Sequence, residues 1–387
     1  MKVLSYAWYI YDSRLEPFNE NYSGGGLVVR NLCNYIGEHH ESYLFLGQVI
    51  EPELMVDNIN IVKTDYDITK KNVKGDNKEY IAYMTDIFEK AVKKIQPDII
   101  NFHDYGDLAE SIVRHVCPKL NIPYVITCHL YEAKNAEYGG YEDVHKVSKK
   151  LLELPNIKII TVSNGMKRKI LEDYRDYDET RLVPILNGTD FKADRRNNTL
   201  KKKLGIGNKK VLLCVGSIGN RKNQIQLLRV FKQDAILREK VCVIFCGKQA
   251  VRSTYNIINE IEKADLMSCM LYAGALQNEE MKDFYSISDA LIMPSYAEGL
   301  SISALEAIAY GLPIIMYADS ECADDLNDPR VTCFADSHSD ASMGKAIYEW
   351  YEKTWDSEYI KSYSKRFTMD EMAENYLKFY EKILLEA

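Results

Sequence analysis

No apolar run in these 387 residues approaches the roughly 18 that a membrane-spanning helix needs, so no segment reads as a bilayer-crossing helix. Cys-x-x-Cys pairs are missing, and the seven histidines show no zinc-type spacing. The nine cysteines are an odd number spread along a long chain. Cys128, Cys214, Cys242, Cys246, Cys269 and Cys333 lie in or beside apolar runs. That pattern argues against a disulfide scaffold and predicts buried, reduced thiols. An excess of positive charge is missing too, with 49 Lys and Arg against 57 Asp and Glu and a net charge of −8. That balance argues against nucleic-acid binding through the whole surface and leaves only a local basic patch open. The start Met1-Lys2-Val3-Leu4 has the look of a signal sequence, but Asp12, Arg14 and Glu16 interrupt it and no small-residue cleavage site follows. The expectation is a cytoplasmic protein in which the sequons at Asn21, Asn187 and Asn197 go unused.

What is present is an ordinary globular composition, 46% apolar and 27% charged. At roughly 100–200 residues per domain, the length favours two or three domains. Short apolar runs alternate with helical patterns, the signature of βαβ units and parallel sheets. Strands are expected over 2–8, 42–46, 59–62, 99–102, 124–127, 158–162 and 182–185. Helices are expected over 26–36, 78–95, 108–116, 141–154 and 165–174. Residues 190–210 break this rhythm with Lys192, Arg195, Arg196, Lys201, Lys202, Lys203, Lys209 and Lys210, and read as a solvated connector. The rhythm then restarts, with strands over 211–215, 241–246, 270–272, 290–293, 313–316 and 331–334 and a last amphipathic helix over 370–385. The fold class is α/β, with two doubly wound, Rossmann-like domains facing across a cleft. A ligand belongs where the C-terminal ends of both sheets meet.

The richest stretch is 289–313. A strand ends at Met293, a loop from Pro294 carries Glu298 and Gly299, and a helix starts near Ser303. Gly299 lets the backbone approach a ligand closely. Free amides at a helix start favour an anion or a hydroxyl-rich group. Glu298 and Glu306 on one such corner can grip neighbouring hydroxyls. Ser303-x-x-Glu306 is also a capping box, in which the carboxylate turns back to a backbone amide. Glu298 before a glycine also fits a plain turn. Elsewhere, Arg221 and Lys222 follow the strand ending Val215-Gly216-Ser217. Cations at a helix start are unfavourable unless an anion binds there, although they also suit a solvated turn. His129 and His103 each close an apolar strand, and a strand-end histidine is often simply half-buried.

Pro294-Ser295, Glu298-Gly299, seven residues between Glu298 and Glu306, and the exit Ala309-Tyr310-Gly311-Leu312-Pro313 form one composite. It resembles the donor-site signature of glycosyltransferase family 4, retaining enzymes of the GT-B fold. The resemblance extends to Ser23-Gly24-Gly25-Gly26, to Val162-Ser163 and Leu186-Asn187-Gly188-Thr189-Asp190, and to Phe367-Thr368, Met372-Ala373 and Tyr376. It implies an acceptor domain over 1–190, a basic linker over 191–208 and a donor domain over 209–366. A C-terminal helix, 367–387, would cross back to the first domain.

The resemblance also implies transfer of a sugar, with retention, from a nucleotide-sugar donor to a glycan or lipid-linked acceptor. A UDP-sugar is the commonest donor, and cell-surface polysaccharide or glycolipid synthesis the commonest context. His129 would sit beside the reacting sugar and Glu298 would hold its hydroxyls. Glu306 would hold the ribose, with the amides of Gly299, Leu300 and Ser301 nearby. Arg221 and Lys222 would neutralise the diphosphate, faced by the amides of Gly24, Gly25 and Gly26. His103 would line the acceptor side. Attack would come on the same face, with a donor phosphate oxygen taking the acceptor's proton. No metal and no cofactor beyond the co-substrate are implied, and no nucleic-acid partner. Peripheral contact with the inner face of the cell membrane is. The chain departs from the family in carrying Ser217 where an arginine is usual. That departure keeps open a non-catalytic, glycan-binding or partner subunit, and a sugar-nucleotide epimerase of the same architecture is the other rival.

Overall fold

The computed structural model describes residues 1–10, 24–47, 54–64, 78–131, 148–193 and 198–386. Its first sheet contains β1 (Lys2–Ala7), β2 (Glu41–Leu46), β3 (Leu54–Val56), β4 (Ile59–Ile61), β5 (Ile99–His103), β6 (Tyr124–Cys128), β7 (Ile159–Thr161) and β8 (Leu182–Pro184). They lie in the order β3-β4-β2-β1-β5-β6-β7-β8. Every pairing is parallel except β3 with β4. Helices α1 (Gly24–His39), α2 (Lys78–Ile95), α3 (Asp107–His115) and α4 (Asn164–Asp173) belong to this half. The helix expected over 141–154 begins outside the described residues, and 148–152 are helical. Ser23 of the glycine loop also lies outside them.

The second sheet contains β9 (Lys210–Val215), β10 (Val241–Cys246), β11 (Met270–Gly274), β12 (Ala290–Met293), β13 (Ile314–Tyr317) and β14 (Thr332–Ala335). Their order is β11-β10-β9-β12-β13-β14, parallel throughout. Parallel strands covered on both faces must be apolar along their length. β10, Val-Cys-Val-Ile-Phe-Cys, is buried at every position. From β9 the chain moves first to β10 and later to β12 on the other side. The crevice between the ends of β9 and β12 is thus a switch point, where ligands of such sheets bind.

The basic segment after β8 is less of a free connector than its charges suggest. It contains α5 (Asn198–Lys203), and Leu200 and Leu204 pack on the second core. Phe191 stands edge-on to Tyr285 with centroids 5.5 Å apart. Lys209 Nζ donates to the carbonyls of Arg238 and Ser268, each at 2.8 Å. Arg195 and Arg196 lie outside the described residues. The remaining helices are α6 (Ile225–Gln233), α7 (Ala235–Lys240), α8 (Ile257–Lys263), α9 (Asn278–Ile287), α10 (Ile302–Ala309), α11 (Asp340–Glu352), α12 (Ser357–Ser364) and α13 (Met369–Glu386).

After the second sheet is complete, α13 lies on the first one. Met369, Met372, Ala373, Tyr376, Phe379 and Tyr380 join a core with Val3, Ile99, Val125 and Ile160. At about 1.5–3 kcal/mol for each large apolar side chain taken from water, this helix is a major part of that core. The two chain crossings are bonded together: Thr189 N donates to Phe367 O at 2.9 Å, and Met369 N to Thr189 O at 3.2 Å. All nine cysteines are free and buried, as their place in apolar runs predicts. Among the described residues no helix is long and apolar enough to cross a membrane.

Candidate functional site

A cavity of about 350 Å³ lies between the C-terminal ends of the two sheets. From the first half it takes Gly24, Gly25, His129 and Asn187. From the second it takes Ser217, Arg221, Lys222, Gly299, Leu300, Ser301, Glu298 and Glu306. Gly26 and His103 do not line it: Gly26 is buried one residue further into α1, and His103 lies behind His129. The glycines are the first turn of a helix rather than a free loop. A Cβ on Gly24 would stand 3.4 Å from Ile302 Cγ1, so the starts of α1 and α10 meet in the wall of the cavity. Two helix N-termini converging on one space make a region suited to negative charge.

The turn after β9 begins with Gly216 at φ +133°, a backbone region that favours glycine. The Lys222 side chain folds over it, 2.9 Å from where a Cβ would be. Arg221 and Lys222 sit in a turn that precedes α6, not in that helix's first turn. Arg221 Nη1 donates to Ala297 O at 2.6 Å, and Tyr296 N donates to Arg221 O at 2.9 Å. These bonds brace the cationic turn against the loop that carries Glu298. Lys222 forms an ion pair with Glu298, and Arg221 Nη1 stands 3.5 Å from the same carboxylate. Burial opposes ionisation of Glu298, yet the Lys222 and Arg221 charges outweigh it and hold the carboxyl below its usual range. The solvated-turn reading of these cations therefore fails, and so does the plain-turn reading of Glu298.

Glu306 behaves differently. The Ser303-x-x-Glu306 capping box does not form, because α10 begins at Ile302 with Ser301 as its N-cap and Ser303 lies inside the helix. The Glu306 carboxylate instead accepts a 2.7 Å bond from the Tyr285 hydroxyl. Burial pushes its carboxyl up to about 7, with the Tyr285 bond acting the other way.

Several supporting residues reach the site from distant positions, and Tyr285, Glu321 and Cys322 carry no local signal in the sequence. Tyr285 is 21 positions from Glu306. Glu321 is fully buried and accepts the Glu298 amide at 2.9 Å. Cys322 donates its thiol to Gly299 O at 2.8 Å. Asn187 Nδ2 donates to Leu300 O at 2.8 Å, tying the first half to the Glu298 loop. Across the same junction, Lys169 Nζ lies 3.2 Å from Glu321, and Asn164 Nδ2 bonds Asp325 at 2.6 Å. A Cβ on Gly299 would fall 2.5 Å from His129 O, so only glycine fits that approach.

On the first-half side, His129 Nε2 and His103 Nδ1 are 3.0 Å apart. Burial lowers the pKa of both rings, and His129 adds to the effect on His103. Both imidazoles are thus neutral at physiological pH.

Comparison with known proteins identifies the family and the fold. Residues 196–367 match the family of glycosyl transferases group 1, and residues 22–192 match Glycosyltransferase Family 4. The D-inositol 3-phosphate glycosyltransferase of Corynebacterium jeikeium is 24% identical over 289 residues, covering 68% of this chain and 67% of that protein. Sucrose-phosphate synthase from Thermosynechococcus elongatus has the same fold, with a TM-score of 0.78, 16% identity and full coverage of both chains. HepE of Anabaena, solved in complex with UDP-glucose, aligns with a TM-score of 0.74 at 13% identity over 99% of this chain and 100% of its own. With matched families on both halves and a GT-B frame around a paired-carboxylate cleft, the chain belongs to the family 4 glycosyltransferases.

Proposed function

We propose that this glycosyltransferase moves a sugar, with retention of configuration, from a nucleotide-sugar donor, a UDP-sugar in the first instance, to a hydroxyl of a glycan or lipid-linked acceptor. The observation that carries the proposal is the pairing of Glu298 with Lys222 and Arg221 in a cavity that Glu306 also lines. A donor diphosphate exchanges into this arrangement. The two cations turn to phosphate, and Glu298 is released to the hydroxyls of the sugar. Glu306 takes the ribose, and the amides of Gly299, Leu300 and Ser301 lie along the sugar. His129 contacts the sugar from the first half. Negative charge grows on the diphosphate as the glycosidic bond breaks, and preplaced cations stabilise it most at that moment. These cations and the convergent helix starts do the work a metal would do elsewhere, so the reaction needs neither metal nor cofactor. A donor phosphate oxygen takes the acceptor's proton, and closure of the two halves on the bound substrates keeps water out. The UDP-glucose complex of HepE supports the donor class. The family context supports assembly of polysaccharide or glycolipid at the inner face of the membrane, by peripheral contact. No nucleic-acid partner is needed.

A thermal-shift and calorimetric panel of nucleoside diphosphates and nucleotide sugars, with and without EDTA, tests this reading. A ligand that binds only the folded state raises its melting temperature. One diphosphate should do so independently of EDTA, and Lys222→Ala should weaken it by roughly ten- to hundred-fold with the circular dichroism unchanged. No shift with any member of the panel would sink the donor site and favour a glycan-binding or partner subunit.

A further inference from the structure

We propose that His103 is a positioning residue that holds His129 in its Nδ1–H form, at the end of a buried hydrogen-bond relay anchored on α13. The inference rests on the reading of His129 as the group beside the transferred sugar. The relay starts on the crossing helix. Tyr376 OH donates to Thr127 Oγ1 at 3.5 Å, and Thr127 Oγ1 donates to Asn101 Oδ1 at 3.1 Å. Asn101 Nδ2 donates to Tyr380 OH at 2.6 Å and faces His103 Nε2 at 3.3 Å. His103 Nδ1 then meets His129 Nε2 at 3.0 Å.

The sense of the relay follows from what each group can donate. The Asn101 oxygen is occupied by the Thr127 hydroxyl, so its NH₂ faces His103 and makes Nε2 an acceptor. A neutral imidazole that accepts at Nε2 carries its proton on Nδ1. His103 therefore donates to His129 Nε2, and His129 must carry its own proton on Nδ1. Asn101, Thr127, Tyr376 and Tyr380 are completely buried and His103 is 2% exposed, so solvent does not supply substitute partners. The relay ends at His129 Nδ1, which is buried and has no hydrogen-bond partner among the described residues. A buried donor left unpaired is costly, and a sugar hydroxyl or ring oxygen arriving at His129 would satisfy it. The His129 amide is tied to Asp104 Oδ1 at 3.3 Å, so the main chain beneath the ring is held as well. In water a histidine side chain prefers Nε2–H, so the relay imposes the minority tautomer.

Side-chain ¹H–¹⁵N correlation spectra of the full-length, histidine-labelled protein read this tautomer without any ligand. His129 should appear as Nδ1–H in the wild type. It should revert to Nε2–H in His103→Phe and stay Nδ1–H in His103→Asn, whose amide NH₂ replaces the Nδ1–H donor. Donor turnover should fall about ten-fold in kcat for His103→Phe, with donor KM within about two-fold, and recover in His103→Asn. A wild-type Nε2–H form, or an Nδ1–H form that survives in His103→Phe, would overturn the relay. Should His103→Phe fail to fold, Asn101→Asp places an acceptor against His103 Nε2 and should reverse both rings; an unchanged tautomer there overturns the relay equally. A wild type with the Nδ1–H form that binds no nucleotide sugar would refute the sugar-contact reading and leave the tautomer assignment standing.

Discussion

At the residue scale, two acids on one loop–helix corner are driven in opposite directions. Glu298 is kept ionised by Lys222 and Arg221, while burial lifts Glu306 towards neutrality and Tyr285 holds its carboxylate. A carboxyl raised on folding from 4.5 to about 7 stabilises the fold fully below pH 4.5. That contribution is lost as the pH rises through 7, and it amounts to about 3 kcal/mol. Urea unfolding midpoints at about pH 5 and about pH 8 should therefore differ less in Glu306→Gln than in the wild type. If the charged form is what grips ribose, nucleotide-sugar affinity should run the other way, strengthening as the pH rises through 7. Calorimetry across that range with one nucleotide sugar checks it, and a flat profile would remove Glu306 from the ribose.

At the scale of elements, the glycines separate fold from site. Gly247 has φ +145°, and a Cβ there would lie 2.0 Å from Gly216 O, between the ends of β9 and β10. Gly247→Ala should cost several kcal/mol, roughly 2–4, and lower the melting temperature accordingly. Gly25, in the first turn of α1, has nothing within 4 Å of a Cβ among the described residues. Gly25→Ala should leave the melting temperature unchanged or slightly raised while weakening the nucleotide-sugar response, because Gly25 lines the cavity proposed to take the donor. Legibility in the sequence followed the same division. β10 and α2 were readable to the residue, because an unbroken apolar run and a long amphipathic period each point to one structure. The three-residue strands β4, β7 and β8 were readable from their apolar runs, but three other short pieces were not: β3 has three residues, and α5 and α7 have six each. None is long enough to display a period, and the lysines of α5 look like solvent-facing charge. Asp234, which caps α7 by accepting from Ile236 and Leu237, was a usable signal that went unread. The corner residues Glu298 and Glu306 were legible because they share one local motif. Tyr285 and Glu321 were not, since each reaches its carboxylate or amide partner across more than twenty positions.

For the whole molecule, the junction between the halves is polar and partly buried. Lys169 of α4 meets the fully buried Glu321, which in turn holds the amide of Glu298. Removing the cation leaves a carboxylate without its compensating charge, which typically costs about 3–5 kcal/mol when the pair is buried. Lys169→Met should lower stability by about that much, and Lys169→Met with Glu321→Gln should recover most of it. Urea midpoints of both variants test the coupling, and additive losses would show that the two groups act independently. A further consequence follows from the way α13 closes the first core from the far end of the chain. During synthesis β1 to β8 emerge first, yet the part of their sheet that α13 shares with α1 stays incompletely covered until the whole second sheet has been made. The early half must be kept from wrong partners throughout that interval. The part of the molecule translated first is completed only after the other half has already been built.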